Sequence, residues 1–322
     1  MKKRIRKLFF LVLFLFPVSM LIAQNQESHQ LNWTEFDWHV EDQGYNLKTS
    51  HQNIILDVYF GNLPVSAKML ISLNSPTSIL YDYVFEDLSY RSSSIRGKTK
   101  TVQGVGNSES YFLNEIDIIT AGEYLLGIEN LRIFPTKKEE RKKDFQGILG
   151  FGMFHRDKKI LVIDNVFNRL AVADALPDYI EENTRFVPMQ VVNGFITVPL
   201  KFDDKEIMAF FDGTSRPAMV VYHNGTFKKL STDQAAPDKL ALPEGDFDVK
   251  FVEGFKPAGI IYFADLPLKN HDIYLDKIKQ PGKVRASLSH AFFLDYVMVF
   301  DYKNGRFGLM EPEYLSDIQK KK

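Results

Sequence analysis

The sequence contains no cysteine, which excludes disulfides, thiol nucleophiles and cysteine-based metal sites. It therefore also lacks the cysteine that a lipoprotein-type signal carries at its cleavage point. Tryptophan occurs only at positions 33 and 38, thin support for a sugar-stacking platform. The seven histidines, His29, His39, His51, His155, His223, His271 and His290, are not at metal-ligand spacing, and there is no His-Glu-x-x-His. No metal and no other cofactor is expected. There is no Gly-x-Ser-x-Gly elbow, and the glycines of 147–152 lack the Lys-Ser/Thr of a phosphate loop. Long amphipathic helical patterns are missing too, and apolar runs long enough to approach a membrane span occur only at the N-terminus.

That N-terminal run reads as an export signal over residues 1–23. Lys2, Lys3, Arg4, Arg6 and Lys7 form a basic region, Leu8 to Phe16 an apolar core, and Ala23-Gln24 a cleavage point. Pro17 interrupts the apolar stretch, which is short for a membrane span of about 20 residues. Membrane contact is expected through this signal alone. The whole chain carries 40 basic and 41 acidic residues; without the five basic residues of the signal the balance is 35 against 41, a net −6. A mildly acidic surface argues against nucleic acid as partner. Export without disulfides suits a bacterial periplasm or exterior, and a monomer is expected.

What the chain does have is 27 Phe and 14 Tyr in short apolar runs punctuated by turn residues, a strand pattern. Runs such as 54–60, 69–73, 79–85, 111–119, 195–202, 207–211 and 296–302 predict strands, and short helices are expected at 178–182 and 291–296. Asp203-Asp204 and Lys303-Asn-Gly305 read as hairpin turns. The most informative feature is an internal repeat. Residues 146–172 carry Gly-Ile-Leu-Gly-Phe-Gly, then Ile-Leu-Val-Ile-Asp164, then a hairpin with Arg169; residues 285–309 carry Ala-Ser-Leu-Ser, then Val-Met-Val-Phe-Asp301, then Arg306. Earlier in each half a strand enters a polar turn and leaves in a second strand, at 68–81 and 207–222. Two similar lobes are expected, 24–182 and 183–322.

These motifs, in order and twice, resemble the pepsin/retropepsin-like aspartic proteases. Phe210-Phe-Asp-Gly-Thr-Ser215 is similar to that family's Phe-Asp-Thr-Gly-Ser, and Gly147-Ile-Leu-Gly-Phe-Gly152 to its Gly-Ile-Leu-Gly-Leu-Gly. Residues 299–309 look like its closing hairpin. The resemblance implies an all-β, two-lobed fold of acid-protease double-psi barrels with few short helices. Each lobe would hold a strand–turn–strand unit with an apolar segment crossing behind the turn. It also implies a flap, matched here by Gln103-Gly-Val-Gly-Asn107 with Gly104 and Gly106 at its tip.

The family's chemistry uses two facing Asp carboxylates that share a proton. The second half supplies Asp212, but Gly213 and Thr214 are exchanged relative to the family, so Thr214 stands where a glycine lets the two turns approach. The first half supplies no Asp. Aligned on Ser75, the catalytic position is Ser72 and the glycine position Asn74; aligned on the Pro and Tyr that both halves share, it is Ile71. The expectation is a non-catalytic exported protein. It would bind an extended peptide or protein ligand in a cleft lined by Ser72, Asn74, Ser75, Asp212, Thr214 and Ser215. The alternative is an active aspartic endopeptidase centred on Asp212, with a water held by Ser72 or Asn74. A third reading is a structural or glycan-binding envelope protein.

Overall fold

The structure, a computed structural model, describes residues 31–41, 51–60, 66–91, 99–103, 109–120, 125–134, 145–202, 205–212, 218–244, 248–268, 272–277 and 284–311. Strands dominate them. An eight-stranded sheet belongs to the first half, a ten-stranded sheet to the second, and a six-stranded sheet takes strands from both; a two-stranded ribbon completes the set. Among the described residues the α-helices are short: Asp82–Arg91, Gly152–Arg156, Asp178–Asn183 and Asn224–Leu230.

The two large sheets repeat one unusual pairing. In the first half Ser66–Ser72 runs parallel to Gly147–Gly150, which lies antiparallel to Ile79–Tyr81, which in turn runs parallel to Leu125–Phe134. In the second half Lys205–Asp212 runs parallel to Val284–Ser289, which lies antiparallel to Ala218–Val221, which runs parallel to Asp272–Leu275. In each case the strands before and after the polar turn do not pair with each other. A strand from much later in the chain slots between them, as the sequence resemblance implies. The fold is therefore mostly β and two-lobed, with the internal repeat visible in hydrogen-bond register.

The six-stranded sheet ties the halves together. Ile160–Asp164 pairs antiparallel with Val297–Asp301, centred on Val162↔Val299. Every residue of both strands is buried, as expected where both faces of a sheet are covered. Each strand turns back through a hairpin. Lys303-Asn304-Gly305 makes the second, with Gly305 at φ +63°, a backbone state that glycine adopts without strain. Asn168 closes the first at φ +49°. At each hairpin a fully buried Asp accepts from the Nε of an Arg across the strand pair: Asp164 from Arg169 at 2.9 Å and Asp301 from Arg306 at 2.7 Å. Each guanidinium also lies over an aromatic ring, Arg169 over Trp33 at 4.3 Å and Arg306 over Phe186 at 4.0 Å.

The phenylalanine content goes into the core. Phe211, Phe263, Phe293, Phe300 and Phe307 are all fully buried and meet mainly edge-on or tilted, with centroids as close as 4.7 Å for Phe300 and Phe307. Each such ring contributes about 1.5–3 kcal/mol by burial. Tyr302 stacks on Phe151 and Phe154 of the first half. Burial pushes its phenol well above the ordinary value.

Two local expectations need correction. Residues 79–85 are not one strand: the strand is Ile79–Tyr81 and a helix starts at Asp82. Asp82 Oδ1 accepts from the Tyr83 N–H at 2.8 Å, and a carboxylate at a helix N-terminus is favourable. The helix expected at 291–296 is a single 3-10 turn, His290–Phe293, whereas the one expected at 178–182 is present as Asp178–Asn183.

Candidate functional site

In each half the first strand of the repeated pairing leads into the polar turn. Ser72 ends its strand opposite Gly150, and Asp212 ends its strand opposite Ser289. One residue earlier, Ile71 lies opposite Leu149 and Phe211 opposite Leu288. Register thus makes Ser72 the counterpart of Asp212 and Ile71 the counterpart of the core residue Phe211. Ile71 is itself buried in the main core. On the far side of the turn, Ile79 lies opposite Ile148 and Val220 opposite Ser287. From Ser72 to Ile79 is seven positions; from Asp212 to Val220 is eight. The second turn is one residue longer, which is why the shared Pro and Tyr point to Ile71 while Ser75 points to Ser72.

The first turn is tightly tied. Ser72 is 9% exposed, and its hydroxyl donates to Asn74 Oδ1 at 2.6 Å. Asn74 and Ser75 are half-buried. Ser75 Oγ accepts from the Thr77 N–H at 3.3 Å, and its carbonyl accepts from the Phe151 N–H at 3.0 Å. Ser78, not anticipated from sequence, accepts from the Gly150 N–H at 3.1 Å through its hydroxyl. The glycines of Gly147-Ile-Leu-Gly-Phe-Gly152 make this possible. A β-carbon at Gly150 would come within 2.6 Å of the Thr77 backbone, and one at Gly152 within 2.3 Å of the Pro76 carbonyl oxygen. Gly152→Ala is expected to lose about 1–3 kcal/mol of stability by overpacking, read as a lower urea midpoint, because the colliding atom is backbone and cannot swing away.

On the second-half side, Ser287 and Ser289 are fully buried beside the strand that ends in Asp212. Tyr222 donates its hydroxyl to Ser287 at 3.0 Å and stacks on Phe210, which in turn meets the exposed ring of Phe195 at 5.0 Å. These neighbours were not legible as site residues; the shared leucine of the repeat, Leu149 and Leu288, was the available signal. The halves approach at Gly194, whose β-position lies 3.5 Å from Pro76 Cγ.

Of the other expected site residues, Thr214 and Ser215 lie outside the described residues, as do Gly104 and Gly106 at the expected flap tip. The arms of that flap are described: Thr99–Gln103 pairs antiparallel with Glu109–Thr120, ending at Gln103↔Glu109. The flanking acids stay apart from the turn. Asp57 is exposed and cross-strand from Lys68, and Asp82 begins its helix. Among the described residues no group of three or more His, Asp or Glu side chains could hold a metal ion.

No family model matches the chain, and no curated protein matches it. Among solved structures, the crystal structure of basic 7S globulin from soybean is similar at a TM-score of 0.46 and 11% identity, over 87% of this chain and 95% of that chain.

Proposed function

We propose that this chain is an exported, pepsin/retropepsin-like protein that holds an extended peptide between its two halves without cleaving it. The observation that carries this reading is the register position of Ser72, which stands where the other half has Asp212. A hydroxyl can donate to or accept from a water, but it cannot share a proton with a carboxylate as a second Asp does. The Ser72 hydroxyl is moreover already committed to Asn74. Losing one member of a cooperating catalytic pair removes most of the rate. For peptide capture, the Thr99–Gln103 arm of the flap hairpin ends the order of the eight-stranded sheet, and a sheet edge takes an extended peptide by main-chain pairing.

The test is cleavage and binding by the mature chain, residues 24–322, offered a diverse mixture of unfolded peptides from pH 3 to 8. The expected result is retention of peptides without cleavage. Cleavage that disappears in Asp212→Ala would overturn the reading in favour of an aspartic endopeptidase. Folded protein that neither retains nor cuts any peptide would remove the cleft as a peptide site.

A further inference from the structure

A groove of about 530 Å³ opens in the first half, and its described lining is made of residues 34–37, 55, 57, 68, 167 and 168, away from Ser72 and Asp212. That volume is typical of small-ligand pockets. Ile55, 6% exposed, lies at its base. One wall is the 34–37 segment and another the corner at Phe167 and Asn168. The walls are pinned to each other: Asn168 accepts the Phe36 N–H on its carbonyl at 2.9 Å and the Trp38 indole N–H on Oδ1 at 2.6 Å. The groove is therefore preformed.

Its charges are unbalanced. Among the described residues Glu35, Asp37 and Asp57 line it with exposed carboxylates, and Lys68 is the one cation of that lining. Asp57 and Lys68 are cross-strand neighbours, yet no ion pair joins them. The Phe167 ring is 46% exposed, with the Arg169 guanidinium 5.0 Å from its centre. The chain thus places an arginine between a carboxylate and an aromatic ring twice, at Asp164–Arg169–Trp33 and Asp301–Arg306–Phe186. In the groove the Phe167 ring already carries Arg169, whereas Glu35, Asp37 and Asp57 have no arginine partner among the described residues.

We propose that the groove docks an extended basic peptide segment. One arginine or lysine side chain lays its methylene stem over Ile55 and against Phe167 and sets its charged head among Glu35, Asp37 and Asp57. Long cationic side chains bury their stems while keeping the head in water, here among the carboxylates and away from the ring that Arg169 already covers. The three carboxylates are exposed, so each pair is weak alone and screened by salt. The preference for a basic residue comes from their sum.

The probe is a fluorescent peptide Gly-Leu-Arg-Leu-Gly and its twin with neutral citrulline in place of arginine, titrated by anisotropy into the mature chain. The arginine peptide is expected to bind about tenfold tighter at 0.05 M salt, with most of the difference gone at 0.5 M. Asp37→Asn with Asp57→Asn abolishes the difference, and Phe167→Ala reduces it. Lys68→Glu widens it about threefold, a gain that misfolding cannot imitate. Equal binding of the twins, or a preference that survives the double substitution, overturns the proposal. So does a preference lost on Asp212→Asn, which would assign it to the cleft; failure of the cleft to hold peptides leaves the groove result standing on its own.

Discussion

Asp301→Ala is expected to cost about 3–5 kcal/mol of folding stability, the range for breaking a buried ion pair by removing one partner. Asp301 is fully buried and holds three donors: the Asn304 backbone N–H at 3.0 Å, the Asn304 side-chain amide at 2.8 Å and Arg306 Nε at 2.7 Å. Alanine leaves all three without that acceptor. Arg306 keeps a second carboxylate, Glu181, at 2.6 Å, and the Glu181 hydrogen bond, ahead of Asp301, holds its guanidinium pKa above the ordinary value. The twin substitution Asp164→Ala removes the one carboxylate that Arg169 pairs with among the described residues, at 2.9 Å. Both positions lie in the strand pair that joins the halves, at Asp164↔Val297 and Ile160↔Asp301. The measurement is urea unfolding. A loss below about 1 kcal/mol would place these pairs with exposed bridges of little consequence. Replacing Asp301 and Arg306 together by leucine is expected to cost less than Asp301→Ala, because the Arg306 Nε donor is removed along with its acceptor.

The Asp–Arg repeat shows what the sequence carries openly. The hairpin at Lys303-Asn-Gly305 was legible because its turn chemistry is local: Asn-Gly marks the turn, and Gly305 takes the positive φ. The duplicated strand was legible for a similar reason, since an apolar run closed by an acid and followed by a hairpin with an arginine occurs at both Asp164 and Asp301. Residues 79–85 misled because a seven-residue apolar-rich run satisfies a strand pattern as readily as a strand followed by a helix turn.

The site was legible only in part, because its register is set by partners distant in sequence. Neither Ser72 nor Ile71 announces which of them corresponds to Asp212. The choice falls out once Gly150 and Ser289 are seen opposite Ser72 and Asp212. An alignment can place the one-residue difference in turn length on either side, whereas the parallel pairing fixes where it lies. Ser78 and Ser287 were invisible for the same reason: their role is to satisfy groups brought close only by the inserted strand.

On the proposed reading, Ser72→Asp is expected to create an acid peptidase. The substitution puts a carboxylate at the position whose counterpart in the other half is Asp212. Two acids sharing a proton supply both the base for water and the acid for the carbonyl. Cleavage of unfolded peptides should rise at least about 10²-fold over the parent chain, the lower end of what acid–base catalysis contributes. It should disappear again in the Asp212→Ala background. The rate should fall as pH rises and the shared proton is lost, since with both carboxylates ionised neither can donate. In the sequence Thr214 aligns with the glycine of the Asp-Thr-Gly turn that this segment resembles, so exchanging Gly213 and Thr214 as well should raise the rate further. If Ser72→Asp stays folded yet inert both with and without that exchange, positions 72 and 212 do not face one another across the cleft. The peptide-holding reading would then lose the observation on which it rests.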